Sequence, residues 1–340
     1  MSQSRGHITL PPDSATVRSR SLHELSVVAP YRLDLTVSAL RRLSTNVVDV
    51  LTPEGQYVRA LHGAHGSVIV HVKQVRPDAL AVAIDGDATE HAQTLALVRR
   101  MLGADRDLTD FDRAAVRISW LAPLVERMRG VKPPRYPALW DACANAIVFQ
   151  QVSLQAASTI MHRLIVALGQ PVEVAGVPVP LYQFPSAETV NTATDDLLRT
   201  TGLSATKLAT LRRVADALAT GMLDPTTLER CSSADAAASL RRIKGIGPWT
   251  AAVILLRGLG RLDVFPANDT SVASNVALVS GSAAFDAPGV LTALGEQRGM
   301  LYFYLLLARL EARGEIGRPS FEWHRRTHQT GPHPEAGHLR

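Results

Sequence analysis

The sequence predicts an α+β chain: a small N-terminal antiparallel sheet domain with a helix, followed by a mostly α-helical body. Three observations carry this. From about residue 23 to 105 the apolar residues alternate with period two, as in a half-buried strand. Beyond about 110 they recur with period 3.6. Short Gly, Pro and Ser breaks separate the helical stretches, with no repeat of fixed length.

Taken in order, residues 1–22 lack the apolar core of a signal peptide and are expected to form a disordered tail. The sheet domain is expected over 23–108. TNVVDVLTPEGQYVRAL (45–61) reads as two strands around a Pro53-Glu54-Gly55 turn. In GSVIVHVKQV (66–75), Val68, Val70 and Val72 alternate with Ile69, His71 and Lys73. In ALAVAIDGD (79–87), Leu80, Val82 and Ile84 alternate mostly with alanines, and ATEHAQTLALVRRMLG (88–103) reads as a helix. The helical body is expected over 109–317. Within it, Ala156, Ile160, Leu164 and Leu168 make one apolar stripe, and Leu208, Leu211, Ala215 and Leu218 another. GQPVEVAGVPVP (169–180) reads as a break, and MLYFYLLLA (300–308) as a core helix. Residues 318–340 are polar and basic and are expected to be disordered.

Composition narrows the function classes. A 46% hydrophobic and 20% charged chain is an ordinary globular protein. The formal charge of +5 permits a polyanionic partner without requiring one. Two cysteines, Cys143 and Cys231, are too few for a four-thiolate iron–sulfur or zinc site or for a disulfide framework, which fits a reducing cytoplasm. No apolar run approaches the roughly 20 residues that span a bilayer. His324, His328, His333 and His338 have metal-like spacings, but the polar tail around them reads as solvated, and no metal site is expected.

The densest chemistry lies in DAAASLRRIKGIGPWTAAVILLRGLG (235–260). An alanine- and leucine-rich helix ends near Ile243. Gly245 and Gly247 permit positive φ, so the chain can reverse, and Pro248 suits the first turn of a second helix that buries Ala252, Leu255, Leu256 and Leu259. Free N–H groups at that helix start form a phosphate-binding end. Arg241, Arg242 and Lys244 beside it would add attraction to a nucleic-acid backbone. A plain helical hairpin with a glycine cap is the competing reading. Downstream, DVFPANDTSVASNVALV places Asp269 at the start of a helix expected over about 270–280, where the helix dipole favours the anion. Alone, such an aspartate is an N-cap. Asp263, on the approach to Pro266, reads as structural.

These residues resemble the helix-hairpin-helix DNA glycosylase superfamily, in its 3-methyladenine glycosylase II branch. PYRLDLTVSALRR (30–42), YPALWDACANAIVFQQVSLQAAS (136–158), FPSAETV, LRTTGLSATKLATLRRVADAL and KGIGPWTA…DVFPANDTSV carry the likeness, in the family's order, over roughly 25–315. The resemblance implies a two-lobed helical body with the hairpin motif at about 235–260. It implies a monomeric base excision repair enzyme that acts on double-stranded DNA and hydrolyses the glycosidic bond of flipped-out alkylated purines. It gives Asp269 the catalytic role and Gly245, Ile246, Gly247 and Thr250 the phosphate grip, with Gln150 and Gln151 as the loop that probes the duplex. Trp249 stands where strand-cutting relatives carry a Schiff-base lysine, which implies a monofunctional enzyme. Trp249, Tyr302, Phe303, Tyr304, Phe149 and Trp140 are the candidate base-pocket aromatics, with core packing as their alternative. No cofactor is expected; a monovalent cation on the hairpin carbonyls is allowed by the resemblance. Val253, and the segment RGMLYFYLLLARL (298–310), depart from the family pattern at the pocket wall. A non-catalytic damaged-DNA binder, or a glycosylase for deaminated or oxidised bases, would share the same motifs.

Overall fold

A five-stranded antiparallel sheet forms from β1 (Arg18–Ser26), β2 (Val50–Leu51), β3 (Tyr57–Gly63), β4 (Gly66–Arg76) and β5 (Ala79–Asp87), in the spatial order β1-β5-β4-β3-β2. The structure is a computed structural model that describes residues 18–177, 179–266, 270–281 and 286–316. Val68, Val70 and Val72 of β4 and Leu80, Val82 and Ile84 of β5 are buried and face the main core, as their alternation predicts. The opposite face is covered too: Val58, Ala60 and Ile69 form a small cluster with Val50 and Leu181.

Three expectations need correction. Strand β1 begins at Arg18, inside the expected tail. It is an edge strand, paired with β5 from Arg18↔Asp87 to Ser26↔Ala79, and a polar edge carries little apolar pattern. Strand β2 is only two residues long, although the Gly55 turn is present, with φ of 76° and the Gly55 N–H donating to the Thr52 carbonyl at 2.9 Å. The presumed break at 169–180 contains β6 (Gln170–Val172), which pairs with β7 (Leu181–Gln183).

Helix α1 (Leu33–Arg41) follows β1, and α2 (His91–Met101) follows β5. The body then runs through α3 (Thr109–Ala115), α4 (Ala122–Arg127), α5 (Leu139–Val148), α6 (Leu154–Leu168), α7 (Ala187–Thr192), α8 (Asp195–Thr200), α9 (Ala205–Ala219), α10 (Pro225–Arg230), α11 (Ser233–Arg241), α12 (Pro248–Gly258), α13 (Thr270–Ser280), α14 (Ala287–Ala293) and α15 (Met300–Ala312). The stripe of α6 is displaced by one residue from its expected register. Ala157, Met161, Leu164 and Ile165 are buried, whereas Ala156 is exposed, because this helix is apolar enough to fit either face.

Two cores result. One joins the sheet to α5, α9, α11 and α12. The other joins α1, α3, α4, α13 and α15, and Leu256 of α12 belongs to it. The two lobes of the body therefore share α12. Two buried arginines stitch them to the N-terminal region. Arg59 on β3 donates to Asp49 at 2.6 Å and to Asp141 of α5 at 2.7 Å. Arg257 on α12 donates to the carbonyls of Ala39 and Leu40, at 2.8 and 3.1 Å, fixing the last turn of α1. The change near residue 108 is one of secondary structure, not a break in packing. Among the described residues no helix is long and apolar enough to cross a membrane.

Candidate functional site

The turn between α11 and α12 is built on one obligatory glycine. Gly245 has φ of 104°, and a Cβ there would lie 2.0 Å from Thr210 Oγ1. Gly247 differs from the sequence expectation. Its φ of −88° and ψ of −179° are extended backbone open to any residue, and no atom of the described residues lies within 4 Å of where its Cβ would stand. The protein's own packing does not demand glycine at 247. Ile246, between them, is buried and anchors the turn in the main core.

Gly247 is also the N-cap of α12. Ser153, Ser186, Thr194, Ser204, Asp224 and Ser232 cap α6 to α11 with side-chain oxygens. The α12 cap makes no side-chain hydrogen bond, and Pro248 follows it. The first-turn amides of α12 are therefore not satisfied by a side chain, and they sit at the positive end of the helix dipole. Arg241, Arg242 and Lys244 are exposed beside the turn.

The loop between α5 and α6 leans on this hairpin. Gln150 donates its amide N–H groups to Gly245 O at 3.0 Å and to Thr250 Oγ1 at 2.7 Å. Lys207 Nζ holds the end of α5 through Val148 O at 2.8 Å, and burial lowers its ammonium pKa. Gln151 is exposed, with φ of 52°.

Between these parts lies a cleft of about 990 Å³. The α5–α6 loop lines it with Phe149, Gln150 and Gln151, and the hairpin lines it with Gly245, Gly247, Trp249 and Thr250. The second lobe contributes Val272 and Asn275 from α13 and Tyr302 and Arg309 from α15. The cleft is thus the seam between the two lobes. Trp249 is half-buried, with its indole Nε1 buried and without a hydrogen-bond partner among the described residues.

Three expected pocket aromatics are not on its wall. Trp140 is 7% exposed in the main core, with its indole N–H donating to Pro185 O at 2.8 Å. Phe303 is fully buried in the second core. Tyr304 stacks on Phe111 with centroids 5.2 Å apart, and burial drives its phenol pKa upward. Two of them neighbour Tyr302 in sequence, but on a helix only one residue of such a triplet faces a given groove. The alternative of core packing holds for these three.

Asp269 lies outside the described residues, as do His324, His328, His333 and His338. Helix α13, expected over about 270–280, spans Thr270–Ser280. The rival Asp263 is exposed and does not line the cleft. Among the described residues no cluster of three or more metal-ligating side chains exists.

Sequence reasoning missed the two charged residues among those lining the cleft. Arg309 Nη1 donates to Asn275 Oδ1 at 2.9 Å, bridging α15 to α13. Arg42, just past α1, reaches the cleft from the N-terminal region, and its guanidinium lies 3.7 Å above the Phe149 ring. Residues more than 100 positions apart carry no local signal that they share a wall.

Comparison with known proteins agrees with this geometry. Residues 144–294 match the family described as HhH-GPD superfamily base excision DNA repair protein. A probable bifunctional transcriptional activator/DNA repair enzyme AlkA of Mycobacterium tuberculosis is 29% identical over 218 residues, which span 64% of this chain and 42% of that protein. The chain thus spans less than half the length of that relative. DNA-3-methyladenine glycosylase 1 of Schizosaccharomyces pombe is 29% identical over 174 residues, covering 48% of this chain and 71% of that one. In fold, the 3-methyladenine DNA glycosylase from Archaeoglobus fulgidus superposes with a TM-score of 0.71 at 23% identity, covering 85% of this chain and 99% of that one.

Proposed function

We infer that this chain, which belongs to the HhH-GPD superfamily, is a monofunctional DNA glycosylase of base excision repair that hydrolyses the N-glycosidic bond of alkylated purines in duplex DNA. The observation that carries the reading is the cleft itself: one seam brings the uncapped start of α12, the exposed Gln151 loop and the aromatic faces of Phe149, Trp249 and Tyr302 together.

Each part answers a physical need. A base must leave the stack before its glycosidic bond is reachable, at a cost of a few kcal/mol that is least for damaged pairs. The uncapped amides of α12 and the exposed Arg241, Arg242 and Lys244 suit a phosphate of the distorted strand. Gln151 is the residue free to enter the gap, since the Gln150 amide is engaged by the hairpin. The extruded base stacks on aromatic faces, and a cationic N-alkylated purine gains roughly 0.5–2 kcal/mol over such a ring.

As the bond breaks, the sugar acquires positive charge. In this reading Asp269 stabilises that charge as an anion and orients the attacking water. With tryptophan at 249 no amine stands at that position to attack the sugar, so water is the final nucleophile. The test is release of 3-methyladenine or 7-methylguanine from methylated duplex by the native chain and by Asp269→Asn. Loss of release with retained DNA binding is expected. Equal release by both removes Asp269 from the mechanism, and binding without any release from a broad set of lesions would make the chain a damage-binding protein instead.

A further inference from the structure

We propose that the outer edge of β1 is a self-association surface, on which a second copy of this chain pairs antiparallel with Leu22 opposite Leu22. The proposal goes beyond the glycosylase reading and does not depend on it.

The first observation is the edge itself. β1 ends one side of the sheet, and its nine residues pair with β5 one for one, with no bulge. Among the described residues, no backbone hydrogen bond reaches its outer side from another element. The opposite edge of the sheet is different. β2 has only two residues, and just before it the Val47 carbonyl accepts from the Tyr182 N–H at 2.7 Å. A long, regular edge is a template for another strand, and proteins that leave one unpaired break it with a bulge, a proline or repelling charge. β1 has no bulge and no proline, and its charges do not repel a copy of themselves.

The second observation is the exposed face of the strand. Arg20, Leu22 and Glu24 stand on it in alternation. Leu22 is 75% exposed, the most exposed large apolar side chain among the described residues.

The third is the order of charge. In an antiparallel pair centred on Leu22, the residue two before it faces the residue two after it on the other chain. Arg20 of each copy therefore stands opposite Glu24 of the other, with about 5 Å between Cβ atoms and on the same face as the leucine pair. Within one chain both charges are already partnered on the inner side. Arg20 Nε lies 3.5 Å from Asp85, and Arg76 donates to Glu24 at 2.7 Å. Pairing joins them into one row of alternating sign: Asp85, Arg20, then Glu24 and Arg76 of the second copy. The two-fold axis repeats the row on the other side of the leucines. Two arginines at these places would repel their copies; one charge of each sign, equally spaced from a central leucine, makes the edge complementary to itself. No cleft-lining residue comes from β1, so the cleft walls take no part in the pairing. The monomer implied by the family resemblance is the state that this edge argues against.

The experiment is sedimentation velocity of the full chain from about 1 to about 100 μM, since dimerisation follows mass action. The native chain is expected to pass from one chain mass to two across that range. Arg20→Glu and Glu24→Arg, each placing like charges opposite one another, should each weaken dimerisation about tenfold or more. An equimolar mixture of these two variants should dimerise within about threefold of native, because in the mixed pair every charge at 20 faces its opposite at 24. That recovery cannot come from changes inside either chain, which persist in the mixture. Leu22→Lys should abolish dimerisation, with thermal unfolding at the lowest concentration close to native because the leucine is exposed. A native chain that stays monomeric throughout overturns the proposal, including the case in which residues 1–17 occupy the edge themselves. A dimer indifferent to all three substitutions, or a mixture that fails to recover, places the contact elsewhere and overturns it equally. Base release by the native chain is measured separately, and its outcome leaves this result untouched.

Discussion

Gln150 and Thr250, a hundred residues apart, meet through a 2.7 Å hydrogen bond, and the same amide reaches the Gly245 carbonyl at 3.0 Å. The probing loop and the hairpin are therefore one mechanical unit, built by a side chain whose sequence reading was direct contact with the duplex. Thr250 is 2% exposed, so its hydroxyl has little water to fall back on. In a double-mutant cycle of Gln150→Ala and Thr250→Val, denaturant unfolding is expected to return a coupling of about 0.5–1.5 kcal/mol. Zero coupling would mean that loop and hairpin are held independently. DNA affinity should fall in Gln150→Ala more than its stability does, because the loop loses its register on the hairpin.

The two hairpin glycines separate folding from binding. Gly245→Ala forces a Cβ against Thr210 in a left-handed backbone, and both terms destabilise, by about 1–3 kcal/mol together. Gly247→Ala meets no atom of the described residues and needs no unusual φ. Its unfolding midpoint is expected to match or slightly exceed the native one, while affinity for duplex DNA drops roughly tenfold, because the added methyl stands where a phosphate approaches the amides of α12. Should Gly247→Ala bind DNA as the native chain does, the approach of the backbone is elsewhere.

Trp249 permits a chemical test of how the strand is left. An imine to the sugar requires a side-chain amine, and position 249 has none. Borohydride added during turnover on a lesion-bearing duplex is expected to trap no covalent complex and to leave the strand uncut at neutral pH. A trapped adduct would show that another lysine does the work. Trp249→Ala should lower base release by an order of magnitude or more with DNA binding little changed, since the half-buried indole belongs to the cleft wall and not to the exposed hairpin surface.

How much of this was written in the sequence depends on range. Strands β4 and β5 and the start of α12 follow from local pattern, because period and glycine placement are properties of ten residues. Strand β1 and the pair β6 and β7 escaped it: the first is a polar edge, and the second pairs across Pro- and Gly-rich chain that has no periodicity. In the cleft, residues on the hairpin and on the 149–151 loop were legible from their motifs. The assignment of Trp140, Phe303 and Tyr304 failed because aromatic content near a motif does not say which way a helix faces. Arg42 and Arg309 had no signal at all, since their meaning comes only from the ring or amide they reach across the fold.

The buried cluster that joins the sheet to α5 should tie stability to pH. Arg59 holds one positive charge between two carboxylates, Asp49 and Asp141, in a region where all three are at most 4% exposed. One cation cannot neutralise both. Burial, opposed by Arg59 and reinforced by Asp49, pushes the Asp141 carboxyl up to about 6 from its ordinary 3.8. The folded state therefore keeps a proton there that the unfolded chain releases. Its contribution to stability is fully present below about 3.8 and is lost as pH rises through about 6. Asp141→Asn keeps an acceptor for Arg59 but has no proton to lose. Relative to the native chain, the variant's Tm is therefore expected to rise steadily from pH 4 to pH 7, by roughly 3 °C for an effect of about 2 kcal/mol in a chain of this size. A native-to-variant difference that is flat across that range would mean that Asp141 stays ionised throughout, fully matched by Arg59.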